Sequence, residues 1–281
     1  MKQFPSIPRV ENAPADLLDS GHLWLQEKVD GANFRFRLLD DGVVEFGDRS
    51  RTYRDADEIP DPYRHAVRHV RERVDREALR RAVADVESVV CFGEAMHRHA
   101  VDYDWDRTPS FLGFDVWDGE EGRFLPPDAV EQVYDRLGLA AVNAFEKEVR
   151  ATDFDPADYE VPESAWYAGP AEGVVVRNKT GGRAKLLHPE FREVDDTVPV
   201  EAPAEELADK YVTRHRIEKT AHKLADHERP VTFDAVFDRV VEDVVREEHK
   251  QLFHGDRSVD VSAFRSAAAE LTQRFLDEER Q

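Results

Sequence analysis

The chain has 281 residues, 41% of them hydrophobic, enough to bury one large domain with a small one or two medium domains. Its 60 acidic against 39 basic residues give a formal net charge of −21, and Cys91 is the only cysteine, which excludes an intramolecular disulfide and a cysteine-rich zinc site. No stretch approaches the roughly 20 apolar residues of a membrane span, and Met1-Lys2-Gln3-Phe4-Pro5 lacks the apolar core of a signal peptide. The expectation is a soluble, cytoplasmic monomer with no membrane partner.

The acidic residues are dispersed, as in Asp55, Asp57, Glu58 and Asp61, and arginine outnumbers lysine. Such a surface is similar to those of halophilic proteins, where salt screens charge within a few ångströms and self-repulsion costs little. Nucleic-acid binders usually carry a basic footprint, but in a salt-adapted protein net charge does not exclude a nucleic-acid substrate.

In chain order, Leu23 to Val29 has strand character, and Asn33 to Leu38 alternates polar and apolar residues with the period of a half-buried strand. Asp41-Gly42 signals a hairpin leading into Val43 to Phe46. Pro60 and Pro62 introduce a helix on which Tyr63, Val67, Val70, Val74 and Leu79 form one stripe. Strands resume at Val89 to Glu94 and Phe111 to Trp117. Pro126-Pro127 opens a second helix through about Leu137, stopped by Gly138. An irregular acidic stretch follows near Asp153 to Pro170, then strands at Gly173 to Val176 and Ala184 to Leu187 around the turn Thr180-Gly181-Gly182. Beyond about residue 200 the pattern is helical, with stripes at Phe233, Val236, Phe237, Val240, Val241, Val244 and Val245 and at Phe264, Ala268, Leu271 and Phe275. A domain boundary is therefore expected there, dividing residues 1–200 from 201–281.

The sharpest local signal is Lys28-Val29-Asp30-Gly31 at a strand end. A lysine nucleophile must be neutral to attack, although free lysine has a pKa near 10.4; burial and neighbouring cations lower it. Gly31 lets the backbone turn tightly and leaves room for a substrate. Alone the tetrapeptide is a weak signal, because such lysines are usually solvated surface residues. The eleven histidines form no metal-ligand spacing. His97 and His99 are explained by a solvated strand end, and His65 and His69 by a helix face.

Later segments follow in a definite order: Gly47-Asp48-Arg49-Ser50-Arg51, Phe92-Gly93-Glu94, Phe111 to Asp115, Glu172 to Arg177 and Ala184-Lys185. Together with Glu27-Lys28-Val29-Asp30-Gly31-Ala32-Asn33 this series resembles, over roughly residues 20 to 195, the motifs of the covalent nucleotidyltransferase superfamily. The branch it looks closest to is the ATP-dependent RNA ligases that seal nicks in duplex RNA. The resemblance implies an α+β fold: an antiparallel-sheet, ATP-grasp-like adenylyltransferase domain with a C-terminal helical domain.

It also implies roles. Lys28 would attack the α-phosphate of ATP and carry AMP covalently. Glu172 would hold magnesium or manganese or orient the phosphate, and Lys185 would neutralise charge at the α-phosphate. Glu94 would meet the ribose and Phe114 the adenine. Glu27 belongs to the nucleotide-binding segment, and Asp30 supports its turn. Arg49 or Arg51 would meet a phosphate or the RNA 5' end, and Asn33 would serve the nucleic-acid steps. The family's last motif commonly has two lysines one residue apart. Here either Arg183 is the second cation or it is missing.

The implied partners are ATP and RNA carrying 5'-phosphate and 3'-hydroxyl ends, and the implied setting is RNA repair. A DNA ligase or capping-type transferase would generally continue into a β-barrel, for which the region after residue 200 lacks alternating strands. A non-catalytic nucleic-acid-binding protein of the same fold would form no covalent adduct. Tyr211 to Arg216 offers basic residues that either touch a phosphate backbone or form a salt-paired helix surface.

Overall fold

The computed structural model describes residues 1–14, 16–191, 202–253 and 259–279. The chain divides into two units, residues 1–96 with 100–194 and residues 97–99 with 195–281. The boundary expected at about residue 200 lies outside the described residues.

In the first unit the elements run α1 (Asp16–Asp19), β1 (His22–Lys28), β2 (Ala32–Leu38), β3 (Val44–Asp48), β4 (Thr52–Tyr53), α2 (Asp61–Arg73) and α3 (Arg76–Ala82). They continue through β5 (Val89–Ala95), β6 (Phe111–Asp118), β7 (Arg123–Phe124), α4 (Pro127–Arg136), β8 (Ala144–Arg150), β9 (Gly173–Asn178) and β10 (Arg183–Leu187). The strands form two antiparallel sheets, ordered β10-β9-β1-β8 and β4-β3-β2-β5-β6-β7.

Alternation along the strands sorts side chains between two environments. Phe34, Phe36, Phe46 and Phe111 leave one face of the six-stranded sheet and pack against Val67 and Val70 of α2, Leu79 of α3 and Val130 and Tyr134 of α4. Burying each such large apolar side chain contributes about 1.5–3 kcal/mol. Leu23, Leu25, Val174, Val176 and Ala184 form the back of the four-stranded sheet and pack on Leu17, Ala151 and Phe154. The front faces remain for the site.

The expected single helix over Tyr63 to Leu79 is two helices. Val74 leaves the helical conformation, and the Asp75 carboxylate accepts from the Ala78 N–H at 2.8 Å, capping a new helix. The turn at Gly42 (φ +88°) and the helix stop at Gly138 (φ +71°) both use the left-handed backbone open to glycine. Strand β8 was not foreseen from the sequence; it lies in the stretch between α4 and the acidic segment.

The described residues of the second unit hold α5 (Ala204–Tyr211), α6 (Arg214–Asp226), α7 (Phe233–Glu247), α8 (His249–Leu252) and α9 (Val261–Glu278). Thr213, Thr232 and Asp260 cap α6, α7 and α9 through their side chains. The apolar stripes meet in one core, with α9 against α5 and α7 and α6 against α7. Arg214 pairs with Glu218, Glu278 and Glu279, and Arg216 with Glu247, so the basic opening is a salt-paired helix surface. No helix among the described residues is long and apolar enough to cross a membrane.

Candidate active site

The front faces of the two sheets enclose a cleft of about 370 Å³, a size suited to a small-molecule ligand. Because Leu23, Leu25, Val174, Val176 and Ala184 enter the core behind the four-stranded sheet, their alternates Gln26, Lys28, Val175, Arg177, Arg183 and Lys185 line the cleft. The register sets Lys28 opposite Gly173, Gln26 opposite Val175, Val175 opposite Lys185 and Arg177 opposite Arg183. From the six-stranded sheet, Asn33 and Glu94 are directly paired across β2 and β5, and Phe114 comes from β6.

Lys28 Nζ lies 2.6 Å from both carboxylate oxygens of Glu172, the residue before β9. The pair is neither fully buried nor fully solvated, with side chains 26% and 16% exposed. Burial raises the Glu172 pKa, opposed by Lys28. Burial, reinforced by the charge of Lys28, lowers the Lys185 pKa. Glu94 is pushed up to about 8, chiefly by burial, with Lys28 opposing and Glu172 adding to the shift. Among the described residues, Asn33 Oδ1 and Glu94 Oε2 are buried without a hydrogen-bond partner. Such atoms in a cleft wall suit a polar ligand, since an unmet buried group costs about 1–3 kcal/mol.

The other expected residues separate by position. Arg49 lines the cleft and donates to Ser6 Oγ at 2.8 Å, whereas Arg51 is exposed and away from it. Glu27 lines the cleft, but its carboxylate accepts from Ser164 Oγ at 2.6 Å and the Ala165 N–H at 3.1 Å, and burial raises its pKa. Asp30 does not line it; its carboxylate holds the Ala100 and Val101 N–H groups at 2.7 and 2.9 Å. Arg183 lines the cleft with its guanidinium on buried Asp115 and over the Phe124 ring. Gly31 has an ordinary φ and is required by close approach: a Cβ there would stand 2.8 Å from the Ala95 carbonyl oxygen and 3.1 Å from Glu94 Cβ.

Sequence reasoning gave no role to three contributors. Buried Asp115 accepts from both Arg177 and Arg183, and Arg177 also donates to Gln26 Oε1 and the Phe114 carbonyl. The available signal was a lone arginine ending the apolar run Val174-Val175-Val176, because a buried charge needs a partner. The N-terminal segment Phe4 to Ile7 also lines the cleft; Phe4 meets Phe114 edge-on at 4.8 Å. The Lys185 N–H donates to the Pro8 carbonyl at 2.9 Å, which fastens this segment along β10.

A cleft lined by the rings of Phe4 and Phe114 and by Lys28, Lys185 and Arg49 fits a nucleotide. The Glu172 carboxylate beside it fits a divalent ion shared with phosphate oxygens.

No curated protein matches the chain. Among solved structures, an archaeal ATP-dependent RNA ligase is similar at TM-score 0.50 and 18% identity, covering 99% of this chain and 66% of that one. A variant of Naegleria gruberi RNA ligase solved with ATP and manganese is similar at TM-score 0.52 and 16% identity, covering 68% of this chain and 57% of that one. The same Naegleria ligase with pyrophosphate gives 0.50 and 16%, again over 68% and 57%. The chain thus spans two thirds or less of the length of these neighbours, and at such identities the likeness is one of fold. The RNA ligase family model matches residues 21–187, a span that takes in every strand from β1 to β10 and the cleft residues from Gln26 to Lys185, and the chain belongs to the RNA ligase family.

Proposed function

We propose that the chain is an ATP-dependent RNA ligase that joins 5'-phosphate and 3'-hydroxyl RNA ends through a lysyl-AMP. The observation that carries this reading is Lys28 Nζ in the cleft, held at 2.6 Å by Glu172, with Lys185 on the same sheet face. The family membership supports it, and so do the ATP and manganese of the Naegleria ligase structure.

In the first step neutral Lys28 Nζ attacks the α-phosphorus of ATP. A nitrogen–phosphorus bond forms, the bond to the bridging oxygen breaks, pyrophosphate leaves with that electron pair, and the nitrogen gives a proton to solvent that it regains in the next step. The RNA 5'-phosphate oxygen then attacks the same phosphorus and returns the amine to Lys28. Finally the 3'-hydroxyl attacks the RNA 5'-phosphorus, forming the phosphodiester and releasing AMP. The hydroxyl proton passes to solvent or base.

Lys185 neutralises charge that builds on the α-phosphate, where a fixed cation in a partly dry cleft is worth more than in water. Arg49 meets a phosphate by its planar guanidinium. Glu94 and Asn33 offer buried polar atoms to the ribose and to the RNA end, and Phe114 packs on the adenine. Glu172 would hold magnesium or manganese, whose charge draws electron density from the phosphates. Arg183 is committed to Asp115 and so acts by shaping the cleft.

Intact-mass spectrometry of the purified chain with and without ATP tests the reading. The expected result is an adduct of AMP mass that is absent in Lys28→Ala. An adduct persisting in that variant, or GTP replacing ATP, overturns the assignment. Nicked RNA against nicked DNA then separates an RNA from a DNA ligase.

A further inference from the structure

His97 and His99, two residues apart, meet the sequence-distant His249 in the second unit, to which residues 97–99 belong. Their ring centroids are 4.6 Å (His97–His99), 4.0 Å (His97–His249) and 4.8 Å (His99–His249) apart. One ligating nitrogen from each lies within 4.8 Å of the others.

The backbone accounts for the convergence. The Arg98 N–H donates to the Arg246 carbonyl at 2.9 Å, which fixes the short segment against the last turn of α7. His97 and His99 flank that bond, and His249 opens α8 just past the end of α7. His97 is 1% exposed while His99 and His249 are half-buried, so the cluster has a buried base and an open side. The solvated strand end expected for His97 is therefore corrected.

We propose that these three imidazoles form a binding site for a zinc-type divalent ion. Three histidines with an open fourth position are an established zinc donor set. A set made of imidazoles selects zinc, copper or nickel over magnesium, which prefers oxygen. The site is therefore separate in chemistry from the carboxylate-and-phosphate site at Glu172. Zinc–nitrogen bonds of about 2.0–2.1 Å in a tetrahedron bring nitrogens to roughly 3.3 Å from one another. Closing from the present spread takes rotations of the two half-buried rings while His97 stays seated. A bound ion would clamp residues 97–99 to the α7–α8 corner and stabilise the fold by mass action.

The test uses the full chain, stripped with a chelator and titrated with zinc chloride alone. Calorimetry should give one zinc per chain with micromolar or tighter affinity, unaffected by millimolar magnesium, together with a zinc-dependent rise in melting temperature. His249→Ala and, separately, His99→Gln should each weaken binding by about 100-fold or more and lose that rise. His222→Ala, at an exposed position on α6 outside the cluster, should bind as the parent does. Two variants guard against one failing to fold. Binding well below one equivalent, or equal binding by parent and both cluster variants, overturns the site. The outcome is independent of the ligase reading, since no ATP or RNA is present.

Discussion

Lys28 Nζ stands 2.6 Å from both carboxylate oxygens of Glu172, so the candidate nucleophile is held by the very group assigned to the divalent ion. A lysine acts as a nucleophile only as the neutral amine. Lys28→Arg separates the two roles. Arginine keeps the cation beside Glu172 but remains protonated and cannot attack. The expected outcome is no AMP adduct by intact mass, with stability close to the parent. Lys28→Ala should lose the adduct and also about 1–3 kcal/mol of stability in urea unfolding, because it strips a largely buried carboxylate of its partner. Chelating the divalent ions should prevent the adduct in the parent chain.

Glu94 sets a pH dependence. Its folded pKa is pushed up to about 8 from 4.5, chiefly by burial. A carboxyl raised in this way binds its proton more tightly when folded than when unfolded. Its cost to stability is absent below pH 4.5 and grows as pH rises toward 8. Glu27 and Glu172 are shifted in the same direction, so they deepen the fall. Glu94→Gln should flatten the profile between about pH 5 and pH 8, read from urea midpoints across pH. A parallel profile in the variant would show that Glu94 ionises normally.

Much of the site was legible because side-chain alternation and motif order are properties of short segments. Lys28, Asn33, Glu94, Phe114, Glu172 and Lys185 all reach the cleft or its edge. What was hidden depends on pairing across long separations. Strand β8 is polar and bulged against β1, and its Glu148 takes a left-handed φ of 57°, so it shows no clean alternation. Asp115 reads as an ordinary strand residue until Arg177 and Arg183 are brought against it by β9 and β10. Phe4 enters the cleft from an irregular segment without periodicity. His249 meets His97 and His99 only through tertiary folding.

The Asp115 cluster predicts a stability effect. Asp115 is wholly buried and is the shared acceptor of two guanidiniums that are 3% and 8% exposed. Removing the shared partner leaves two nearly buried cations without their carboxylate. Asp115→Ala should therefore destabilise by about 3–5 kcal/mol, measured by urea unfolding. Arg183→Ala should cost less, because Asp115 retains Arg177. Equal losses in both variants would contradict this ordering.

Gly31 links the fold to the candidate nucleophile. A Cβ there would press on the Ala95 carbonyl oxygen and Glu94 Cβ, so the β1–β2 turn must shift in Gly31→Ala. That turn follows Lys28 directly, and a displacement near 1 Å at a reacting group can cost about 100-fold in rate. The expected result is adduct formation slowed on that scale in a chain that still unfolds cooperatively. Unaltered adduct kinetics would show that the turn absorbs the methyl group without moving Lys28.

Salt should act on the steps in opposite directions. A net charge of −21 destabilises the compact state by self-repulsion. Raising potassium chloride from about 0.1 M to about 2 M shortens the screening length to a few ångströms, so the melting temperature should rise. Formation of the proposed AMP adduct, in a partly buried cleft, should track this gain in folded protein. Binding of an RNA end releases counterions and weakens with salt for each phosphate contacted. Arg49, exposed at the cleft wall, is the residue on which that loss should depend. Arg49→Ala should reduce the salt slope of RNA binding by about one contact and leave the salt dependence of melting unchanged. An equal slope in the variant would remove Arg49 from the RNA path.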